Sequence, residues 1–239
     1  MATIYILEGA DRVGKSSLAQ AFSHQSRIPL VHFSTPNKQI QKELGHYYQY
    51  DILLTKPLED IILDRSWVSD LFYDMFRRQQ SPAFKAAMQL EHALVCRGYQ
   101  LEYIFVHREW GQKLWLEHLR EIRNMEGYGD FKQRKLEHFN WPHLFEKWTQ
   151  ATQGNCWVLN SDYFEQNLDQ LLAYQDPTNE QYKQQIRPSA NSVSNQLSDI
   201  LKSQAKASAR SVVWAQYDWL NVDTSRVERL LEGISQAGY

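Results

Sequence analysis

The sequence lacks the features that would assign it to a membrane, a secreted or a metal-centred class of protein. No apolar run in its 239 residues approaches the roughly 20 residues that a membrane-spanning helix needs. Its two cysteines, Cys96 and Cys156, have no metal-ligand spacing, and its eight histidines form no H-E-x-x-H motif. The first residues lead directly into TIYILE without the pattern of a leader peptide, so we expect a reduced, cytoplasmic protein.

A strong charge of either sign is missing too. The formal net charge is -2, far from the basic field that attracts a nucleic-acid polymer. Hydrophobic residues make up 43% and charged residues 23% of the chain, as is ordinary for a globular protein. We therefore expect small-molecule partners, and neither a nucleic-acid polymer nor a membrane.

Short apolar runs are what the sequence does have. Five of them, apolar inside without alternation, lie at residues 3–8, 28–33, 60–65, 101–108 and 156–161. Such runs are typical of strands covered on both faces, and helix-like segments separate most of them. The pattern predicts an α/β fold of three layers around a five-stranded parallel sheet, spanning residues 1–174. We expect a ligand site where the polar residues at the strand ends meet: Glu8, Ser34, Asp64, His107 and Asn160.

After Tyr174 the composition changes to a stretch rich in Gln, Ser and Asn. We predict a polar linker and a small helical C-terminal appendage over residues 175–239, with one amphipathic helix whose apolar face carries Val193, Leu197, Ile200 and Leu201. Within the first unit, Pro142 falls inside a helical pattern over residues 131–148, where it predicts a kink or a restart.

The stretch EGADRVGKSS, residues 8–17, contains the phosphate-loop motif G-x-x-x-x-G-K-S between an apolar strand and a helix-prone segment. The glycines allow a tight turn in which successive backbone N–H groups converge on a phosphate. The lysine reaches the β- and γ-phosphates, and the serine hydroxyl can bind Mg²⁺. We predict ATP and Mg²⁺ as ligands, with ATP bound by Gly9, Val13, Gly14, Lys15, Ser16 and Ser17.

A generic phosphate loop does not require the two charged residues inside this one, Asp11 and Arg12. A permanent cation there could stabilise charge on the transferring phosphoryl group. A carboxylate there could accept a hydrogen bond from a sugar hydroxyl or help to order Mg²⁺. The alternative is that the two residues pair with each other at the surface.

A second informative stretch is IILDRSWVSDLFY, where an apolar strand ends in Asp64 and Arg65. A strand-terminal carboxylate can hold Mg²⁺ directly or through water. The neighbouring guanidinium can bind a second phosphate with a two-pronged hydrogen bond. A simple salt bridge is the alternative for this pair.

Together the two stretches resemble the thymidylate kinase family, whose loop reads E-G-x-D-x-x-G-K-S/T and whose second motif reads D-R-Y-x-x-S. Ser66 replaces the Tyr of that motif and is similar to the E-R-S of deoxynucleoside kinases. The segments FVHRE and FKQRKLEHFNW resemble the lid and following helix of the family far more loosely. The resemblance covers about residues 3–172.

This resemblance implies a kinase that transfers the γ-phosphoryl group of Mg-ATP to a deoxynucleoside 5′-monophosphate, with dTMP as the first acceptor. Asp11 would contact the 3′-hydroxyl of the acceptor, and Arg65 would bind its 5′-phosphate. Ser16 and Asp64 would hold the metal. The implied catalytic residues are Asp11, Arg12, Lys15, Asp64 and Arg65.

Other implied roles have structural alternatives of their own. Arg120 and Arg123 lie one helical turn apart and could close a lid over the phosphates, or could pair with neighbouring glutamates on a solvated face. Four aromatic residues could stack on the acceptor base or pack in the core: Phe33, Tyr48, Trp67 and Phe72. A compact kinase with this tail would suit a bacteriophage enzyme that acts in the host cytoplasm. A homodimer is one possible oligomeric state.

Three rival functions stay open. A deoxynucleoside kinase would need a general base for a hydroxyl acceptor, for which Glu8 or Asp64 is available. A P-loop NTPase switch or motor would use the C-terminal appendage to couple hydrolysis to a macromolecule. A degenerate kinase fold would serve only as a binding module, but the presence of Lys15, Ser16 and Arg65 argues against that.

Overall fold

The computed structural model describes residues 2–33, 50–76, 84–108, 128–176, 178 and 187–207. The strands in this part of the chain are β1 (Ala2–Glu8), β2 (Leu30–Val31), β3 (Ile61–Asp64), β4 (Tyr99–His107) and β5 (Asn155–Asn160). Its helices are α1 (Lys15–Ser26), α2 (Asp51–Thr55), α3 (Trp67–Phe76), α4 (Phe84–Arg97), α5 (Tyr128–Ala151), α6 (Phe164–Gln175) and α7 (Ala190–Ala207), with a 3₁₀ turn at Ser161–Tyr163.

The five strands form one sheet in the order β2-β3-β1-β4-β5, and all pairs are parallel. The five-stranded parallel sheet predicted from the apolar runs is therefore confirmed, although β2 is only two residues long. The register pairs Leu7 with Asp64 and His107 with Asn160. The carboxyl ends of β1, β3, β4 and β5 thus meet at one edge. β2 and β3 lie on one side of β1, and β4 and β5, which come later in the chain, lie on the other. The loop after β1 therefore lies at the point where the strand order reverses, which is where ligands bind in open α/β sheets.

Successive residues of β4 show how helices cover both faces of the sheet. Glu102 accepts a hydrogen bond from the Tyr174 hydroxyl of α6 at 2.6 Å, and its neighbour across the ladder, Tyr5, packs edge-to-face on Phe22 of α1 at 5.1 Å. Tyr103 points to the opposite face, where its ring contacts tryptophans of α3 and α5. The sheet therefore lies between two helical layers, as the three-layer prediction requires.

The prediction of a kink or restart at Pro142 is wrong as to a restart, because α5 runs without interruption from Tyr128 to Ala151. An internal proline removes a helical hydrogen bond and costs about 3 kcal/mol. Burial around it offsets this, since Trp141, Leu144, Phe145 and Trp148 are all at most 1% exposed. No described helix, α5 included, is long and apolar enough to cross a bilayer.

The amphipathic helix predicted in the C-terminal region is confirmed as α7. Val193, Leu197 and Ile200 are buried, belong to the same core as the sheet, and face β5 and α5. Just before the helix, Arg187 donates to the Tyr174 hydroxyl at 2.8 Å. The structure thus joins this part of the predicted appendage to the main core. The boundary after residue 174 and the role of residues 208–239, which lie outside the described part, stay predictions.

Candidate active site

The phosphate-loop motif lies between β1 and α1, as its sequence context predicted. Gly9 has φ 142, and a Cβ at that position would collide with the backbone carbonyl oxygen of Val106 in β4. Gly14, the residue before α1, has φ 90. Both conformations favour glycine, so the glycine positions of the motif follow from the turn that the chain makes here. The loop and the N-terminus of α1 follow the carboxyl end of β1, which is the arrangement of an anion-binding site.

The loop lysine and the β3 carboxylate form a buried ion pair. Lys15 Nζ lies 3.0 Å from Asp64 Oδ1, and the two side chains are 5% and 8% exposed. Burial lowers the pKa of Lys15, helped by the charge of Arg65 and opposed by Asp64. Burial also opposes ionisation of Asp64, but the charge of Lys15 and hydrogen bonds from Ser16 and Lys15 outweigh it, so the pKa of Asp64 is lowered. The pair thus places an amine and a carboxylate side by side, at positions where a phosphate and a cation could replace them as partners of each other.

The residues predicted to hold Mg²⁺ fit that ion. The side chain of Ser16, the second residue of α1, is exposed and hydrogen-bonds to the Asp64 carboxylate. A hydroxyl and a carboxylate oxygen therefore lie side by side next to the loop that would hold phosphates. Mg²⁺ prefers oxygen ligands, keeps several waters and is usually bound by one or two protein groups together with substrate phosphates.

A second charged cluster lies beside the loop and consists of Arg65, Asp11 and Tyr73. Arg65 donates to the Asp11 carboxylate and to the Tyr73 hydroxyl, and its guanidinium lies 5.2 Å from the Tyr73 ring centroid. The Tyr73 hydroxyl is also 3.4 Å from Asp11 Oδ1. Burial opposes the charge of Arg65, but Tyr73, Asp11 and nearby carboxylates outweigh it and raise the pKa of Arg65. The cluster thus presents a permanent, oriented cation, 16% exposed, next to the phosphate loop.

Both arginines predicted to act on phosphates have left-handed backbones, with φ 66 at Arg12 and φ 75 at Arg65. A residue other than glycine in this region carries roughly 1–3 kcal/mol of strain and persists only when its surroundings fix it. One such restraint is visible at Arg65, whose N–H donates to the Leu7 carbonyl at 3.1 Å. Strained backbone of this kind is concentrated at functional sites.

Glu8, one of the two candidate bases, is fully buried at the carboxyl end of β1. Its carboxylate accepts hydrogen bonds from Ser66 N at 2.9 Å, from Ser66 Oγ at 2.6 Å and from the hydroxyl of Ser69. Burial raises the pKa of Glu8 to about 7, against the lowering effect of these hydrogen bonds and of nearby cations. Both carboxylate oxygens are therefore bound to the first turn of α3.

Two of the four aromatic residues proposed for the acceptor base lie in the core. Trp67 and Phe72 are 0% exposed. Trp67 donates to the Tyr103 hydroxyl at 3.2 Å, and Phe72 stacks on Trp141 at 4.3 Å. These contacts favour core packing over base stacking for both, because neither ring presents a surface to a ligand.

Of the remaining aromatic and lid residues that were predicted for the site, the structure describes one. Phe33, at the end of the segment after β2, is partly buried and packs edge-to-face on Tyr50 at 4.9 Å, so it stays a candidate for the acceptor base. Tyr48, Arg120 and Arg123 lie outside the described residues, and their roles stay predictions.

Two residues at the site were missed by sequence reasoning. Tyr73 could have been found from helical spacing, because Ser66, Ser69 and Tyr73 recur at the intervals that share one face of a helix. His32 follows β2, and its Nδ1 lies 3.4 Å from Asp64 Oδ2. The sequence pattern predicts a strand that continues to Phe33, so His32 lies inside that predicted strand and not at its polar end.

The fold and the loop geometry define a P-loop kinase-like α/β protein. No family model and no curated protein matches the chain. Among solved structures, polyphosphate kinase 2 from Arthrobacter aurescens TC1 is similar, at 14% identity and a TM-score of 0.54, over 72% of this chain and 66% of that chain. The YorR protein of Bacillus subtilis, solved in complex with phosphorylated GDP, is similar at 14% identity and a TM-score of 0.48, over 85% of this chain and 98% of its own.

The likeness to polyphosphate kinase 2 bears on the fold and not on the reaction. The polyphosphate kinase 2 match supports the predicted P-loop kinase fold. Neither match supports thymidylate kinase specifically, and the chain spans about two thirds of the length of that polyphosphate kinase.

Proposed function

We propose that the protein is a phosphotransferase that moves the γ-phosphoryl group of Mg-ATP onto a nucleoside 5′-monophosphate, with the deoxynucleotide dTMP as the first acceptor to test. One observation carries the proposal: two oriented cations, Lys15 and Arg65, flank the phosphate loop at one sheet edge, each held by a carboxylate. Phosphoryl transfer needs little covalent assistance and depends on positioning and on cations that absorb developing charge.

On the donor side, the loop amides and Lys15 would bind the β- and γ-phosphates, with Lys15 leaving Asp64 for the phosphate oxygens. Ser16 and Asp64 would hold Mg²⁺, which supplies charge neutralisation of the phosphate oxygens. Arg12, at a left-handed position within the loop, provides a further permanent cation close to the transferring group.

On the acceptor side, Arg65 is the natural partner of a phosphate. A phosphate dianion offers the guanidinium two oxygens in place of one from Asp11, which favours the exchange. Asp11, once released, can accept a hydrogen bond from a sugar hydroxyl. Because the attacking phosphate oxygen is already anionic at neutral pH, this reaction requires no general base.

The geometry of Glu8 supports a monophosphate acceptor over a nucleoside. A hydroxyl acceptor would need a base within hydrogen-bond reach. Glu8 is fully buried with its oxygens bound to Ser66 and Ser69, and Asp64 would be engaged by Mg²⁺ together with Ser16. Polyphosphate is a second candidate substrate, favoured by the likeness in fold to polyphosphate kinase 2.

The test is transfer from Mg-ATP by the wild type and by Lys15→Ala. We expect this variant to lower kcat by at least about 100-fold, since it removes a cation aimed at developing charge. Lys202→Ala, at a position whose side chain is 68% exposed in α7, is the matched control and should leave kcat unchanged. Full activity of a folded Lys15→Ala variant would overturn the proposal.

A further inference from the structure

Glu8 occupies the junction between β1 and the phosphate loop, yet its contacts are to a different part of the site. Its Oε1 accepts from Ser66 N at 2.9 Å, Ser66 Oγ at 2.6 Å and Ser69 N at 3.4 Å, and its Oε2 accepts from Ser69 Oγ. The first N–H groups of a helix have no partner within the helix and carry a partial positive charge. Ser66 is the N-cap of α3, because its Oγ accepts from Val68 N at 3.2 Å, and the Glu8 carboxylate holds this residue and Ser69 from a strand 58 residues away in sequence.

The chain segment that Glu8 holds lies next to a residue that is predicted to be catalytic. Ser66 directly follows Arg65, whose left-handed backbone is retained only if its neighbours are fixed. On one side, Arg65 N–H is bound to the Leu7 carbonyl at 3.1 Å. On the other side, Ser66 is bound to Glu8 through both its amide and its hydroxyl. Both anchors are the last two residues of β1, immediately before the phosphate loop.

We propose that Glu8 is a positioning residue for phosphoryl transfer, which fixes Arg65 relative to the phosphate loop by holding the N-terminus of α3 from β1. The inference rests on the proposed function. It assigns to that site a residue, Glu8, that contacts neither substrate. In metal sites, removal of a partner that orients a ligand typically changes affinity or activity by about 10–100-fold, and we expect an effect of this size here. Misplacement of reacting groups by about 1 Å has effects of a similar size.

A merely structural role for Glu8 predicts a different result, and the chain offers a matched control. Glu91 of α4 is also fully buried and accepts three hydrogen bonds against the four of Glu8, from the Tyr103 hydroxyl at 2.7 Å, from Thr152 Oγ1 at 2.8 Å and from Gln153 N–H. Thr152 and Gln153 precede β5, at the end of the sheet opposite the phosphate loop. The two glutamates thus have similar burial and partners, and only Glu8 contacts the catalytic segment.

The experiment compares Glu8→Gln and Glu91→Gln in the full chain, by steady-state kinetics, thermal melting and amide hydrogen exchange. For Glu8→Gln we expect kcat/KM for the monophosphate acceptor to fall by about 10–100-fold and KM for ATP to stay within about twofold. Exchange at the Ser66 and Ser69 amides should become about tenfold faster. Glu91→Gln should lower the melting temperature while kcat/KM stays within about twofold of the wild type.

Either of two kinetic results would overturn the inference: a Glu8→Gln variant within about twofold of the wild type in kcat/KM, or equal losses in the two variants. A wild-type protein that transfers no phosphoryl group would overturn the proposed function instead. Hydrogen exchange would then decide whether Glu8 holds the segment, and unchanged exchange at Ser66 and Ser69 in Glu8→Gln would refute that hold.

Discussion

Two buried groups should make the stability of this protein respond to pH in opposite directions. Burial raises the pKa of Glu8 from 4.5 to about 7, against its hydrogen bonds from Ser66 and Ser69. Burial lowers the pKa of His107 from 6.5 to about 4, against the charge of Asp162. Each pH unit between the folded and unfolded pKa values is worth about 1.4 kcal/mol, so each group contributes about 3 kcal/mol across its window.

The signs follow from which state binds the proton more tightly. For Glu8 the folded state does so between pH 4.5 and about 7, so its stabilising contribution is full at low pH and is lost as the pH rises through about 7. For His107 the unfolded state binds the proton more tightly between about 4 and 6.5, so its contribution is lost as the pH falls through about 4. The two nearly cancel where the windows overlap, between about pH 4.5 and 6.5.

Glu8→Gln removes one of the two contributions and should expose the other. We expect the free energy of unfolding of this variant, measured by urea denaturation at a series of pH values, to rise by about 3 kcal/mol between pH 4 and 6.5. The free energy of unfolding of the wild type should be nearly constant between about pH 4.5 and 6.5. His107→Gln is the complementary control and should become less stable from pH 4.5 to 7. Parallel pH profiles for the wild type and Glu8→Gln would refute the reasoning.

Two further predictions concern the core and the loop. Leu197→Ala in α7 should lower the free energy of unfolding by about 2–5 kcal/mol in urea denaturation, because Leu197 is 0% exposed. Ser194→Ala, on the exposed face of the same helix, is the control and should change the free energy of unfolding little. Equal effects of the two substitutions would show that α7 does not pack on the core. Arg12→Ala should lower kcat by far more than it raises KM for ATP, if Arg12 acts on the transition state, and a change in KM alone would make it a binding residue.

The parts of the fold that the sequence predicted are those set by local pattern. Short unbroken apolar runs such as residues 4–7, separated by helix-like segments, are typical of strands covered on both faces, so the parallel sheet could be predicted. Gly9, Gly14 and Lys15 have a spacing that the turn itself requires, and the structure places them accordingly. The polar residues at the ends of β1, β3, β4 and β5 followed from the same pattern, whereas Ser34, predicted at the end of the second strand, lies outside the described residues.

The parts that escaped prediction depend on contacts between distant segments. Whether Phe72 faces a ligand or the core is decided by Trp141, 69 residues further on, and the sequence of α3 alone is compatible with both. The packing of α7 on the core likewise depends on apolar surface that β5 and α5 leave open. Tyr73 has its role only because Asp11 and Arg65 meet beside it.

The central claim is tested most directly by an acceptor panel in a Mg-ATP transfer assay, with products separated by chromatography. The panel contains the deoxynucleosides, all the deoxynucleoside monophosphates and polyphosphate, and each is assayed with the wild type and with Arg65→Ala. We predict that diphosphates form from monophosphates and that Arg65→Ala raises KM for the acceptor by at least about tenfold, because it removes the cation that binds the phosphate. Formation of monophosphates from nucleosides, or ATP hydrolysis that is indifferent to every acceptor, would contradict the account.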